Sequence, residues 1–113
     1  MQTKATAQTT DQTAAQTQKL LHTLWNRNLP MMRERVQLLE RAAETARSAD
    51  LTPPLRRDAA TTAHKLAGSL GMFGYAQGTE IARQLEVLLD NPAPPNPDTL
   101  STLAADLRRT LQL

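Results

Sequence analysis

The spacing of apolar residues constrains the fold of this chain more than any other feature. Over residues 55–73 they recur at steps of three and four, which is the period of an α-helix with one buried face. The residues on that face are Leu55, Ala59, Ala63, Leu66, Leu70 and Phe73. Valine and isoleucine, which favour strands, occur only at Val36, Ile81 and Val87, while alanine and leucine dominate. The sequence therefore predicts an all-α protein.

The first half of the chain carries one long helical pattern. We expect residues 1–10, which are rich in Thr, Gln and Ala without an apolar period, to form a disordered tail. A helix is predicted from about Asp11 to Ala49, with Pro30 as a kink inside it. Residues 11–113 are then a single domain. The predicted buried stripe of this helix contains Leu21, Trp25, Met32, Val36, Leu39, Ala43 and Ala46.

Capping residues and prolines mark the remaining helices. Thr52-Pro53 and Asn96-Pro97 each place a capping side chain before a first-turn proline. Gly74 can end a helix with a positive φ. These signals predict helices over residues 53–73, 76–90 and 97–111. Their expected buried positions include Gly78, Ile81, Leu85, Leu88, Leu100, Leu103, Leu107 and Leu111.

The connections between these helices are short, which favours antiparallel neighbours. We therefore predict an antiparallel up-down four-helix bundle with a long, Pro-kinked first helix. The Pro-rich segment 91–95 cannot continue a helix and is expected to be a stiff loop.

Composition excludes several classes of function. Thirteen basic and eleven acidic residues are interspersed, which is not the pattern of a nucleic-acid surface. With no cysteine and two histidines, the chain has neither disulfides nor an expected metal site. It has no phosphate-binding Gly-rich loop after a strand, so no nucleotide or other cofactor is predicted. An apolar run of membrane-spanning length and a signal peptide are both lacking, so we expect a cytoplasmic protein without membrane contact, most simply a monomer.

One exposed histidine is the main candidate for chemistry. His64 falls about 140° from the centre of the buried face of its helix and therefore points to solvent. Gly68 and Gly71 lie on the same outward side, although each glycine costs a helix roughly 1 kcal/mol relative to alanine. We interpret this bare strip as access for the backbone of another protein to the imidazole. A neutral imidazole has one nucleophilic ring nitrogen near neutral pH, which suits it to accept a phosphoryl group.

The run over residues 63–74 reads Ala-His-Lys-Leu-Ala-Gly-Ser-Leu-Gly-Met-Phe-Gly. Together with the Leu85-Glu86 pair in the next helix, it resembles the histidine phosphotransfer (HPt) domain of bacterial phosphorelays. The resemblance is sharpest over residues 58–89 and extends over about residues 12–113. It implies a four-helix phosphocarrier that accepts a phosphoryl group on His64 from a kinase or a receiver-domain aspartate and passes it to a response-regulator receiver. It also implies that Glu86 holds the Nδ1–H of His64.

The sequence departs from the HPt family at one position. The family often has a lysine three residues after the histidine, where this chain has Ala67. Lys65 and Arg57 are the candidates for the missing cation. Arg57 lies two turns before His64 on the same helix face, where it could also contact an acidic receiver domain. Lys65 projects about 100° round the helix from His64, although its long side chain could bring the ammonium group back. Ser69 could contact phosphate, although a hydrogen bond back to its own helix is the commoner role for a helical serine.

Two other functions stay open at this level. The same bundle could bind a receiver or kinase domain without phosphotransfer. It could also be a generic helical adaptor or dimerisation domain in which His64 is incidental, and an exposed apolar seam on the first helix would favour that function. On the phosphorelay interpretation the chain is a carrier and not an enzyme, and its partners are a sensor histidine kinase and a response-regulator receiver domain.

Overall fold

A computed structural model describes the backbone of residues 2–113 and the side chains from Thr13 onward. The described residues form helices, turns and loops and contain no strand. The helices are α1 (Gln2–Arg47), α2 (Pro53–Leu70), α3 (Ala76–Asp90) and α4 (Pro97–Thr110). The predicted all-α class and the number of helices are confirmed.

Helix α1 belongs to both of the compact units into which the chain divides, residues 1–30 and 31–113. It continues as one helix through Pro30 and begins at Gln2, before the predicted start near Asp11. Within the first unit the side chain of Trp25 is buried. The disorder predicted for residues 1–10 concerns residues whose side chains lie outside the described part of the chain, and it stays a prediction.

Contacts at the helix ends show that neighbouring helices in the unit 31–113 run antiparallel. Near the start of α2, Arg56 donates a hydrogen bond to the carbonyl of Leu89 at the end of α3, over 2.8 Å. At the end of α1, Arg47 pairs with Asp98 at the start of α4, over 3.0 Å. These contacts agree with the predicted up-down bundle.

A second ion pair joins α1 and α4 about two turns before the end of α1, near the end of α4. Arg108 donates to both carboxylate oxygens of Glu40, at 2.9 and 2.7 Å. The hydrogen bond with Glu40 raises the pKa of Arg108 above its ordinary value. Paired, two-pronged contacts of this kind fix the orientation of the two side chains as well as their distance.

The core of this unit consists of leucine, alanine and a few larger aliphatic side chains. Five predicted core residues of this unit are only half-buried: Ala46, Leu55, Phe73, Leu88 and Leu103. Ala82, Leu89 and Ala104, by contrast, are fully buried. Helix α3 contacts both α2 and α4, so its buried arc is wider than the single stripe that was predicted. The largest fully buried side chains are Met32, Val36, Leu39, Leu66, Leu70, Leu85, Leu100, Leu107 and Leu111.

The predicted N-terminal caps are present. The hydroxyl of Thr52 accepts a hydrogen bond from the backbone N–H of Leu55, over 3.3 Å. The side-chain oxygen of Asn96 accepts from the N–H groups of Asp98 and Thr99, at 2.9 and 3.2 Å. Each cap satisfies donors that a helix start leaves without intrahelical partners.

The C-terminus of α2 is tighter than predicted. The regular helix ends at Leu70 and not at Phe73, because the next residues bond three positions back, as the N–H of Phe73 does to the carbonyl of Leu70. Gly74 then takes a φ of 87°, and the N–H of Tyr75 returns to Leu70, over 3.0 Å. This left-handed cap satisfies carbonyls at the helix end, and it is the role that was predicted for Gly74.

Helix α1 ends in the same way without a glycine. Ala49 has a φ of 59°, and the N–H of Asp50 bonds to the carbonyl of Thr45, over 2.7 Å. An alanine in this left-handed conformation is strained, because its Cβ crowds the backbone.

We therefore expect Ala49→Gly to raise the free energy of unfolding, by roughly 0.5–1 kcal/mol after the greater flexibility of glycine in the unfolded chain is subtracted. Urea denaturation followed by circular dichroism measures the change. The matched variant Gly74→Ala, at an exposed position whose added Cβ would meet nothing, should lower stability by a similar amount. If Ala49→Gly and Gly74→Ala changed the free energy of unfolding in the same direction, this account of the two helix ends would be wrong.

Candidate functional site

His64 lies in the middle of α2 with its side chain in solvent. The side chain is 77% exposed, whereas its helix neighbours Ala63 and Leu66 are completely buried. The apolar period of α2 anchors those neighbours in the core, so the intervening position is held outward. The rigid helix thus presents the imidazole at a fixed place on the surface, as predicted.

Glu86 on α3 meets this imidazole. The Nδ1 atom of His64 lies 2.8 Å from one carboxylate oxygen of Glu86 and 3.1 Å from the other. An ionised carboxylate only accepts hydrogen bonds, so the contact assigns the proton of the neutral ring to Nδ1. Nε2 then keeps its lone pair. The structure brings together the two residues that the sequence singled out.

The glutamate is less exposed than the histidine. Its side chain is 24% exposed, and the preceding residue, Leu85, is buried in the core. A carboxylate hydrogen-bonded to one ring nitrogen commonly fixes the tautomer and the orientation of a functional histidine. The arrangement can therefore present one nucleophilic nitrogen, in one tautomer, to an incoming group.

An open groove between α2 and α3 extends from the histidine. Its lining comes from two helix faces and consists of Arg57, Ala60, Thr61, His64, Glu86 and Asp90. The α2 members are spaced by three and four residues, as are the two acids of α3, so each set shares one face. Sequence reasoning missed Ala60, Thr61 and Asp90, although helical spacing from His64 and from Glu86 could have found them.

The two glycines of the motif have different surroundings. A Cβ added at Gly68 would meet no atom within 4 Å, so the surface one turn beyond His64 is bare. A Cβ at Gly71 would lie 3.5 Å from the hydroxyl of Thr79, an ordinary contact with α3. The interpretation of an open strip beside the histidine therefore fits Gly68 better than Gly71.

The remaining polar candidates of α2 differ in their availability. The hydroxyl of Ser69 donates to the carbonyl of Lys65 over 3.0 Å and lies 3.4 Å from that of Leu66, so it is engaged with its own helix. The side chain of Lys65 is exposed but does not line the groove. Arg57 does line it. The geometry thus separates the two cations that the sequence left equal.

Two other kinds of site, a metal site and a membrane-spanning helix, have no support in the described residues. Within them, no group of three or more histidine and acidic side chains is placed to hold a metal ion. None of the helices in the part of the chain that was searched is apolar over enough length to cross a membrane. The other histidine, His22, is exposed on α1 in the unit 1–30.

Comparison with known proteins gives one family model that covers most of the chain. The model of the Hpt domain matches residues 23–113. Protein RcaC from Microchaete diplosiphon is 32% identical over 94 residues, and the match covers 80% of this chain. The chain spans only 14% of the length of that relative. No solved structure matches the chain.

The hydrogen bond between Glu86 and His64 predicts a measurable tautomer preference. We expect nitrogen NMR of the neutral ring to show mainly the Nδ1–H form in the native protein, and Glu86→Ala to relax this preference. Glu86→Gln should retain more of it, because the amide oxygen still accepts a hydrogen bond.

Glu80→Ala, an exposed change on the same helix outside the groove, is the control. As a surface substitution, Glu80→Ala should alter stability by no more than about 0.5 kcal/mol, and circular dichroism checks that the Glu86 variants stay folded. An unchanged tautomer population in Glu86→Ala would show that the contact does not orient the ring.

Proposed function

The chain belongs to the Hpt domain family, and we propose that it carries a phosphoryl group on His64 between the proteins of a phosphorelay. Membership of this family supports histidine phosphotransfer as the general role of the chain and two-component signalling proteins as its partners. The identity of the carrying atom, Nε2 of His64, is our assignment. So are the direction of transfer and the assembly in which the chain works.

One observation carries this assignment. The histidine is mostly in solvent, and its Nδ1 is tied to Glu86 over 2.8 Å. In the neutral ring, the hydrogen bond occupies the nitrogen that faces the protein, and the other nitrogen keeps its lone pair. A nucleophile for an external phosphoryl donor needs this combination of accessibility and a defined protonation state.

The proposed step balances without a further reactant. The lone pair on Nε2 attacks the phosphorus of an aspartyl phosphate on a receiver domain. The new P–N bond forms as the P–O bond breaks, and the receiver aspartate leaves as a carboxylate. The ring gains a positive charge, its Nδ1 proton stays hydrogen-bonded to Glu86, and the negative carboxylate offsets that charge. A kinase that phosphorylates His64 directly would deliver the same group.

The return step is the reverse. An aspartate of a second receiver attacks the phosphorus, the P–N bond breaks, and Nε2 regains its lone pair. The chain contributes the nucleophile and its orientation, and each receiver domain contributes an aspartate. Glu86 acts here as a positioning residue, because it contacts the ring and not the phosphoryl group.

His64→Gln should abolish labelling by a phosphorylated receiver domain while folding is unchanged. The reason is that the side chain is exposed, and surface substitutions change stability by no more than about 0.5 kcal/mol. Detection of acid-labile, base-stable phosphate measures the labelling, and circular dichroism measures the fold.

His22→Gln is the matched control, since it removes the other histidine and should label like the native protein. If the His64→Gln variant were still labelled, His64 would not be the residue that carries the phosphoryl group. Absence of label from the native protein with every receiver and kinase tested would instead favour an adaptor that binds such domains without phosphotransfer.

Gly68 tests whether access by a partner matters, because substitutions there should move function and stability in opposite directions. Gly68→Ala should raise stability by something approaching 1 kcal/mol, since the position is helical and an added Cβ meets no neighbour. Transfer from a receiver should fall in Gly68→Ala and fall further in Gly68→Gln, because larger side chains crowd the approach to the imidazole.

Phosphoramidate, a small donor, separates access from chemistry. It should label both Gly68 variants nearly as fast as the native protein. Native rates with the receiver donor would contradict the access argument. Loss of activity through unfolding would show that Gly68 serves packing instead.

A further inference from the structure

We propose that Arg57 is the cation that binds the phosphoryl oxygens while the group is carried on His64. This inference rests on the proposed function, because it concerns the phosphorylated state of that histidine. The sequence left two candidates, Lys65 and Arg57, for the cation that compensates the charge of the phosphoryl group, and the inference selects Arg57.

The charges of the groove require a cation there. Two carboxylates, Glu86 and Asp90, and one cation, Arg57, line the groove beside His64. A phosphoryl group carries up to two negative charges near neutral pH, so its attachment to His64 places it beside two acids of the same sign. Glu86 is engaged with the positive ring, whereas Asp90 forms no ion pair with any described side chain and would repel the new charge. Arg57 is the groove residue that reverses this repulsion.

The helix geometry brings the two groups within reach. Arg57 precedes His64 by two turns, or about 10.5 Å along the axis, on the same face. Both side chains line the same groove, with the exposed Thr61 between them, and the long arginine side chain can span this turn toward the imidazole. A phosphoryl group on Nε2 extends beyond the ring. The guanidinium presents a planar set of donors suited to phosphate oxygens.

Arg57 is available for this task, and the adjacent arginine is not. Arg56 donates to the backbone carbonyls of Leu89, Asn91 and Ala93, so its guanidinium is committed to holding the loop after α3. Arg57 is exposed and forms no hydrogen bond or ion pair with another described side chain. The neighbouring arginines thus divide into one that fixes the loop and one that faces the groove with unused donors.

Lys65 does not fit the same role. It follows His64 directly, which places it about 100° round the helix, and it does not contribute to the lining of the groove. Its substitution is therefore a control, because it removes one positive charge from the exposed side of the same helix, at a position nearer to the histidine in sequence but outside the groove.

The experiment uses the full chain labelled by phosphoramidate, so that no partner protein contributes. In the labelling step Nε2 forms a new P–N bond as the P–N bond of phosphoramidate breaks and ammonia leaves. Phosphorus NMR then follows the signal of the phosphorylated histidine with pH, in the native protein and in Arg57→Gln, Arg57→Lys and Lys65→Gln. Circular dichroism checks that each variant is folded.

A cation close to the phosphoryl group favours its dianion and lowers the pH at which it protonates. We expect Arg57→Gln to raise the phosphorus titration midpoint by roughly 0.2–0.7 pH units, the shift that corresponds to an exposed ion pair. Arg57→Lys should keep most of the native midpoint, and Lys65→Gln should leave it unchanged. A structural role alone would not move this midpoint.

The outcomes separate the inference from the function on which it rests. If the native protein is labelled on His64 but Arg57→Gln keeps the native midpoint, Arg57 is not the cation and the phosphocarrier assignment stands. If Lys65→Gln shifts the midpoint instead, the cation is Lys65. If phosphoramidate and charged receivers both fail to label His64, the proposed function fails, and the inference with it.

Discussion

The antiparallel register of α2 and α3 is the constraint on which the site depends. At one end of the pair the backbone of Gly78 comes so close that an added Cβ would lie 3.2 Å from Leu70 and 3.3 Å from Leu111. At the other end Arg56 bonds to the carbonyl of Leu89. A close contact and a charged hydrogen bond thus fix how far one helix can slide along the other. The imidazole–carboxylate pair lies between these two points, and a shift of one residue along α3 would carry the carboxylate round to another face.

Local chemistry made much of the fold predictable. Thr52 and Asn96 cap their helices because a short polar side chain before a first-turn proline can accept hydrogen bonds from the N–H groups of that turn. These helix starts can therefore be recognised from adjacent residues alone. The tightened end of α2 and the left-handed Ala49 were not predictable in the same way. A glycine signals a left-handed residue, whereas an alanine takes that conformation only when packing at the helix end imposes it. Burial of Leu89 in preference to Leu88 likewise depends on two neighbouring helices, which a period along one helix does not describe.

The candidate site shows the same division. The outward position of His64 follows from the apolar period alone. Its pairing with Glu86 was expected only from a resemblance to a family, since no spacing rule relates residues on two helices before their register is known. The groove residues Thr61 and Asp90 were within reach of the sequence, because each lies about one turn from a residue already singled out. Only the structure shows that Arg57 lines the groove and Lys65 does not, since in the sequence both are exposed cations near the histidine.

The exposure of the histidine has a consequence for timing. A ring nitrogen that a folded partner can approach is also open to water at every other moment. On the proposed function, a phosphoryl group held there would be exposed to hydrolysis between encounters, and whether it reaches an acceptor would depend on how often acceptors arrive. The concentration of the acceptor would then determine what fraction of the phosphoryl groups is transferred before hydrolysis removes them.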